Sequence, residues 1–175
     1  NSKRHSLNAQ CGLGIGEFDL GNYGLARTLL EQAIAELRES HFQEDLFWAS
    51  NYLAQVYVAT GAYEHAEALL NEILKQDKAA DEPSDWYGMN LALLGKLYFE
   101  WDRISDAEEF LYQALKESER TQLKWQLPLV RNYYVEVLLH PKQVEQRCAE
   151  AELSLQLNLK ETSASSFYRS TVAAL

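Results

Sequence analysis

The stretch that decides the fold is residues 53–70, which read LAQVYVATGAYEHAEALL. Ala66, Leu69 and Leu70 follow the break at Gly61 with the i, i+3, i+4 spacing of an amphipathic helix. A glycine at such a break accepts the positive φ that commonly follows a helix end. The stretch therefore predicts two helices joined by a tight turn.

The same pattern occurs on either side of this stretch. A small residue in the first helix precedes an alanine in the second by 12 positions in each of three copies, Gly14–Ala26, Ala54–Ala66 and Gly95–Ala107. Two antiparallel helices can approach closely where small residues meet. One pair cannot bury its apolar face alone, so repeated pairs are expected to stack into an α-solenoid.

The periodicity predicts an all-α chain of nine helices, at about 5–20, 23–41, 44–60, 63–78, 84–101, 104–122, 124–139, 142–160 and 162–173. Ser84 or Asp85 is the expected cap of the fifth helix, and Pro128 is expected in the first turn of the seventh. We interpret residues 1–175 as a single domain. Its repeats are placed at about 7–41, 44–78, 84–122 and 124–160, followed by a C-terminal helix at 162–173.

Composition excludes several classes of protein. The chain has 175 residues, 47% of them apolar, which is too many for an intrinsically disordered chain. Its net charge of −10 argues against direct binding of nucleic acid, which needs clustered Lys and Arg. No apolar run is long enough to predict a membrane span. Because the sequence begins at Asn1, we expect a fragment of a longer protein.

The motif Leu-(Gly/Ala)-x-x-Tyr, a short turn, then Gly-x-Tyr-x-x-Ala resembles the tetratricopeptide-repeat (TPR) family over residues 8–160. The steps between copies, 40 and 41 residues, exceed the usual period of about 34. They are similar to the long-repeat subclass of kinesin light chains, spindle adaptor scaffolds and MalT-like regulators. Glu17 and Asp102 depart from the motif, standing where an aromatic residue and the turn glycine are usual.

The residues offer little for catalysis or metal binding. Gly12, Gly14 and Gly16 lack the preceding strand that a phosphate loop requires. The four histidines lie far apart and have no second ligand at helical spacing. Cys11 and Cys148 are expected to be buried structural thiols, and two cysteines favour a reducing, cytoplasmic compartment. We therefore expect neither an enzyme nor a cofactor.

The family resemblance implies a concave groove lined by the first helix of each pair. The helix positions that face the groove in that family correspond here to a predicted partner-binding set: Asn8, Ile15, Phe18, Trp48, Asn51, Gln55, Met89, Lys96, Phe99, Gln126 and Tyr133. The same register also places Cys11, Val58, Ala92, Leu129 and Glu136 there. Trp48 either anchors a ligand or packs on a neighbouring helix, and the sequence favours neither.

The leading hypothesis is a non-enzymatic scaffold that binds a protein or peptide in this groove. Lys96 is its one cation in this register, so a clamp for an acidic C-terminal peptide is not expected. The alternative is a sensor or regulatory module of a larger signalling or transcription-regulator protein, binding a peptide or small effector. Either protein is expected to avoid direct contact with nucleic acid and membranes, and it could form a homo-oligomer.

Overall fold

The computed structural model describes residues 2–121, 125–140 and 152–160, which are helical apart from short connections. The helices are α1 (Ser2–Asp19), α2 (Tyr23–Arg38), α3 (Gln43–Ala59), α4 (Tyr63–Lys78), α5 (Tyr87–Glu100), α6 (Ile104–Thr121), α7 (Leu127–Leu138) and α8 (152–160). The described residues contain no strand, and the expected all-α solenoid is confirmed. The helix expected at 162–173 lies outside the described residues, as does the 142–151 part of the helix expected at 142–160.

Each pair of helices crosses where the small residues meet. A Cβ added to Gly14 would lie 2.8 Å from Leu30 Cγ, and one added to Gly95 would lie 2.6 Å from Leu111 Cγ. Ala26 and Ala107, the partners expected from the 12-residue spacing, are fully buried at these crossings. The predicted close approach of α1 to α2 and of α5 to α6 is therefore confirmed.

The turn that joins the helices of a pair has the same hydrogen bond in all three copies. Asn22 N–H donates to Glu17 O, Ala62 N–H to Tyr57 O and Arg103 N–H to Tyr98 O, each at 2.8 Å. Gly21 and Gly61 have φ of 79° and 72°, and Asp102 has φ of 56°. Aspartate is one of the few non-glycine residues that adopt this region readily, so the third turn forms without its glycine.

The fifth helix begins later than the sequence predicted, at Tyr87 rather than at residue 84. Buried Asp77 accepts both the backbone N–H and the hydroxyl of Ser84, at 2.7 and 2.6 Å. The Ser84 hydroxyl in turn accepts the N–H of Trp86 at 3.1 Å. These bonds hold the segment in a turn before the helix starts. Pro128 lies in the first turn of α7, as expected.

Two tyrosines at equivalent repeat positions link one pair to the next. The Tyr57 hydroxyl donates to Glu31 at 2.8 Å, and the Tyr98 hydroxyl donates to Glu67 at 2.7 Å. Burial, together with the hydrogen bond to a carboxylate, raises the pKa of each tyrosine to about 12. The phenols therefore remain donors well above neutral pH.

Gly14 and Gly16 of α1, together with Gly95 of α5, make a matched test of the crossing. Gly14→Ala, and more strongly Gly95→Ala, should lower the free energy of unfolding, by about 1–3 kcal/mol, because the new methyl group meets buried Leu30 or the backbone around Leu111. Gly16→Ala has open space and should raise stability by about 0.5–1 kcal/mol through helix propensity. Urea denaturation of the three variants measures these changes in the free energy of unfolding. A stabilising Gly95→Ala would show that the crossing is assigned wrongly.

Alkaline titration tests the tyrosine links. Folding raises the pKa of Tyr57 and Tyr98 above the ordinary 10.0, so the stability they confer is fully present below pH 10. It should decline as the pH rises from 10 to about 12. Denaturation midpoints across this range should fall for the wild type and fall less steeply for Tyr57→Phe/Tyr98→Phe. Equal slopes for the two proteins would contradict the assignment.

Candidate partner-binding groove

The inner face of the stack is formed by the odd-numbered helices. α1 packs on α3, α3 on α5 and α5 on α7, whereas α2, α4 and α6 stand further apart from one another. Closer spacing on one side curves a solenoid toward that side. The predicted groove residues all lie on or next to these inner helices.

The structure divides the predicted groove residues into two sets. The partly exposed set is Asn8, Ile15, Phe18, Trp48, Gln55, Lys96, Phe99 and Tyr133. The buried set is Asn51, Met89 and Gln126, with 2%, 7% and 1% of their surface exposed. A neighbouring element covers the second set, since Gln126, for example, donates its side-chain amide to the Asp85 carbonyl.

Buried Asn51 belongs to a chain of amide groups that crosses between helices. Its Nδ2 donates to Oδ1 of Asn90 at 2.9 Å, and its Oδ1 accepts from Nε2 of Gln55 at 2.9 Å. Gln55 is the member that reaches the groove surface. Asn51 therefore bonds Gln55 but does not itself reach the groove surface, and Asn90 is a partner that the sequence register did not indicate.

Lys96 organises the end of the groove formed by α5 and α7. Its Nζ lies 2.6 Å from Glu136 Oε2 and 3.0 Å from Glu100 Oε1. The same nitrogen lies 5.0 Å from the ring centre of Phe99 and 5.6 Å from that of Tyr133. The predicted Lys96, Phe99 and Tyr133 are thus brought together. We call Lys96, Phe99, Glu100, Tyr133 and Glu136 the Lys96 cluster.

The charge of Lys96 is held in place by its surroundings. Burial alone would lower its pKa, but the hydrogen bonds and charges of Glu136 and Glu100 outweigh that effect and raise the pKa. Glu100 could have been recognised from its i, i+4 spacing to Lys96. His140, whose ring meets the edge of Phe99 at 5.9 Å, comes from the turn after α7 and gave no such signal.

Trp48 lies on the same inner face, further toward α1. Its ring packs edge-on against Tyr52, with ring centres 6.0 Å apart, and both side chains are partly exposed. Tyr52 was absent from the predicted set although it follows Trp48 by one helical turn. Trp48 therefore packs against Tyr52 of its own helix and still presents surface to the groove.

The described residues contain neither a metal-binding cluster nor an activated thiol. They contain no group of three or more His, Cys, Asp or Glu side chains able to hold a metal ion. Cys11 is buried, and burial raises the pKa of its thiol to about 11, which disfavours the reactive thiolate. Cys148 lies outside the described residues. The groove instead offers aromatic, amide and charged contacts suited to binding.

Stacked helix pairs with a 40–41-residue step and an inner groove define an α-solenoid repeat protein. The sequence matches the tetratricopeptide repeat over residues 5–79 and 47–116. The chain belongs to the tetratricopeptide-repeat family. None of the described helices is both long and apolar enough to span a membrane.

Similar proteins include a transcriptional regulator, a protein solved with a peptide and DNA, and a kinesin light chain. The HTH-type transcriptional regulator MalT of Serratia proteamaculans is 33% identical over 85 residues, which is 49% of this chain and 9% of MalT. Bacillus thuringiensis PlcR, solved with the peptide PapR7 and DNA, is 15% identical with a TM-score of 0.82, covering 95% of this chain and 59% of PlcR. A Podosopora anserina putative kinesin light chain is 20% identical with a TM-score of 0.63, covering 91% and 77%. The chain thus spans a small part of MalT and under two thirds of PlcR.

A double-mutant cycle tests the Lys96 cluster. Lys96→Met and Glu136→Gln should show a coupling energy of about 1 kcal/mol, because the Lys96 side chain is only 22% exposed and bonded to Glu136. The exposed pair Arg38–Glu72 is the control, and its coupling should be about 0.5 kcal/mol or less. Equal couplings for both pairs would mean that the cluster gives Lys96 no special environment.

Proposed function

We propose that this protein is a non-enzymatic scaffold whose concave groove binds an extended or helical peptide segment of a partner protein. The observation that carries the proposal is the set of partly exposed side chains along the inner helices. The Trp48–Tyr52 pair lies on α3, Gln55 follows one turn later, and the Lys96 cluster continues the surface onto α5 and α7.

These side chains supply the contacts that peptide recognition needs. Trp48 and Phe99 offer apolar surface for anchoring side chains, and the Gln55 amide can bond a peptide backbone. A groove that presents half-buried aromatic residues, the Gln55 amide and the Lys96 cluster in succession suits a chain segment better than a single small compound.

The charge of the groove defines the preferred peptide. Lys96 is already paired with Glu100 and Glu136, so these three groups together carry one net negative charge. A terminal carboxylate would have to displace Glu136 from Lys96 to bind there. We therefore expect neutral or basic peptides with aromatic or aliphatic anchors, and no clamp for an acidic C-terminus.

The similar folds are consistent with this proposal. PlcR was solved with a bound peptide and shares its fold with 95% of this chain. The free, buried Cys11 fits a reducing, cytoplasmic location, which we also propose.

The second candidate is a sensor module within a longer regulator. The match to MalT and the fold shared with PlcR favour it, since MalT is a transcriptional regulator and PlcR was solved with both a peptide and DNA. A thermal-shift screen separates the two candidates. Stabilisation by a small metabolite without any peptide would favour the sensor, and stabilisation by peptides would favour the scaffold.

Groove variants test the scaffold directly. We would select ligands from a display library of random capped peptides, using the 175-residue chain as bait. Trp48→Ala and Phe99→Ala should each weaken binding of a selected peptide by about 2 kcal/mol, because anchors of this kind dominate interface energies.

Tyr112→Ala is the matched control, since Tyr112 is an exposed aromatic residue on α6. It should leave affinity unchanged. Denaturation midpoints measured on every variant separate lost binding from lost stability. A folded Trp48→Ala/Phe99→Ala protein that keeps its affinity would disprove the groove assignment.

A further inference from the structure

A guanidinium group closes the first junction between helix pairs, where α1 meets the start of α3. Arg4 lies over the ring of Phe42, with its Cζ 5.5 Å from the ring centre, and donates to both carboxylate oxygens of Asp45. Phe42 immediately precedes α3, and Asp45 belongs to the first turn of that helix. A planar guanidinium can stack on a ring and bond a carboxylate at the same time.

The second junction, where α3 meets the start of α5, has an aromatic ring in the same place but no such cation. Trp86 immediately precedes α5, as Phe42 precedes α3. The 40-residue step between the first two repeats relates Arg4 to Glu44. A carboxylate therefore stands at the position from which the first junction receives its guanidinium.

Two carboxylates at the second junction are unpaired. Glu44 and Asp85 are both exposed, and among the described residues neither side chain forms an ion pair. Partial burial and the negative charges of Asp85, Asp77 and Asp45 raise the pKa of Glu44. Arg4 is already bonded to Asp45, so an added positive charge would be favourable beside Glu44 and Asp85.

Aromatic surface is open at the same junction. Trp125 is 44% exposed and Trp86 is partly exposed, and their rings pack with centres 5.7 Å apart at 63°. Gln126 donates its side-chain amide to the Asp85 carbonyl, which holds the two tryptophans and Asp85 together. We call Glu44, Asp85, Trp86 and Trp125 the junction site.

We propose that the junction site binds an arginine side chain from a basic segment of a partner protein. The guanidinium lies against the rings of Trp86 and Trp125 and donates hydrogen bonds to Glu44 and Asp85, in the way that Arg4 closes the first junction. The net charge of −10 adds a general attraction for a basic partner. The junction site lies at the ends of the inner helices and shares no residue with the predicted groove.

A pair of peptides that differ in charge tests the proposal. The capped peptide Gly-Arg-Gly-Arg-Gly and its citrulline analogue have nearly the same shape, and NMR of the indole N–H groups follows all four tryptophans. We expect saturable shifts of Trp86 and Trp125 with millimolar arginine peptide, and an affinity for the citrulline peptide at least about tenfold lower.

The other tryptophans make the outcome specific. Trp48 reports the groove, so shifts confined to Trp48 would overturn the junction site and leave the proposed function intact. Equal affinity for the two peptides, or no saturable shift of Trp86 and Trp125, would also overturn it.

Charge variants separate the junction site from the general negative charge of the chain. Glu44→Gln and Asp85→Asn should each weaken binding of the arginine peptide several-fold. Glu36→Gln is the control, because it removes an exposed carboxylate of α2 away from the junction, and it should leave affinity nearly unchanged. Equal losses in all three variants would indicate attraction to the whole chain and refute the site.

Two further variants test the ring contact and the comparison with Arg4. Trp125→Ala should weaken the arginine peptide several-fold, whereas Tyr112→Ala, at the same 44% exposure, should not. Glu44→Arg places a guanidinium at the position equivalent to Arg4 and should weaken the arginine peptide at least about tenfold. A folded Glu44→Arg protein with wild-type affinity would disprove the proposal.

Discussion

The structure depends on the close approach of paired helices at positions that lack bulky side chains. At Gly95 even one methyl group would meet Leu111 and the carbonyl of Ala107. Because the helices come this close, Leu111 is fully buried, and the corresponding Leu30 is buried against Gly14. The crossing makes each pair a fixed unit, and the apolar surface left over on each unit drives stacking.

Stacking then sets the polar contacts between successive inner helices. Arg4 bonds Asp45, Asn51 bonds Asn90 and Lys96 bonds Glu136, at sequence separations of 41, 39 and 40 residues. These separations lie within one residue of the 40- and 41-residue repeat steps, so each contact joins equivalent or adjacent positions of neighbouring units. The charges that face the groove are therefore positioned by the same interactions that hold adjacent repeats together. A groove residue such as Lys96 consequently affects both stability and recognition.

Much of the fold could be predicted from sequence because the repeat supplies several independent copies of one signal. The 12-residue spacing predicted where the helices of a pair cross. The turn also forms at Asp102 without a glycine, because the hydrogen bond that closes it joins backbone atoms only. The groove was harder, since the family register identifies which face of a helix points inward but not how far the next helix covers it. Asn51, Met89 and Gln126 are buried for that reason. His140 contacts Phe99 because neighbouring repeats pack together, and no spacing within one helix predicts this contact.

Differences between copies carry information that their similarities do not. Positions shared by the copies, such as Ala66 and Ala107, serve the packing common to every pair. Where the copies differ, as Leu69 and Phe110 do, the ring that packs on the shared tyrosine also differs, since it is His65 at Tyr57 and Phe110 at Tyr98. Tyr57 stays buried all the same, because the His65 ring and the Arg27 guanidinium both lie against its ring. The bond from the tyrosine hydroxyl to a glutamate of the preceding helix is therefore kept in both copies while the packing around the ring changes.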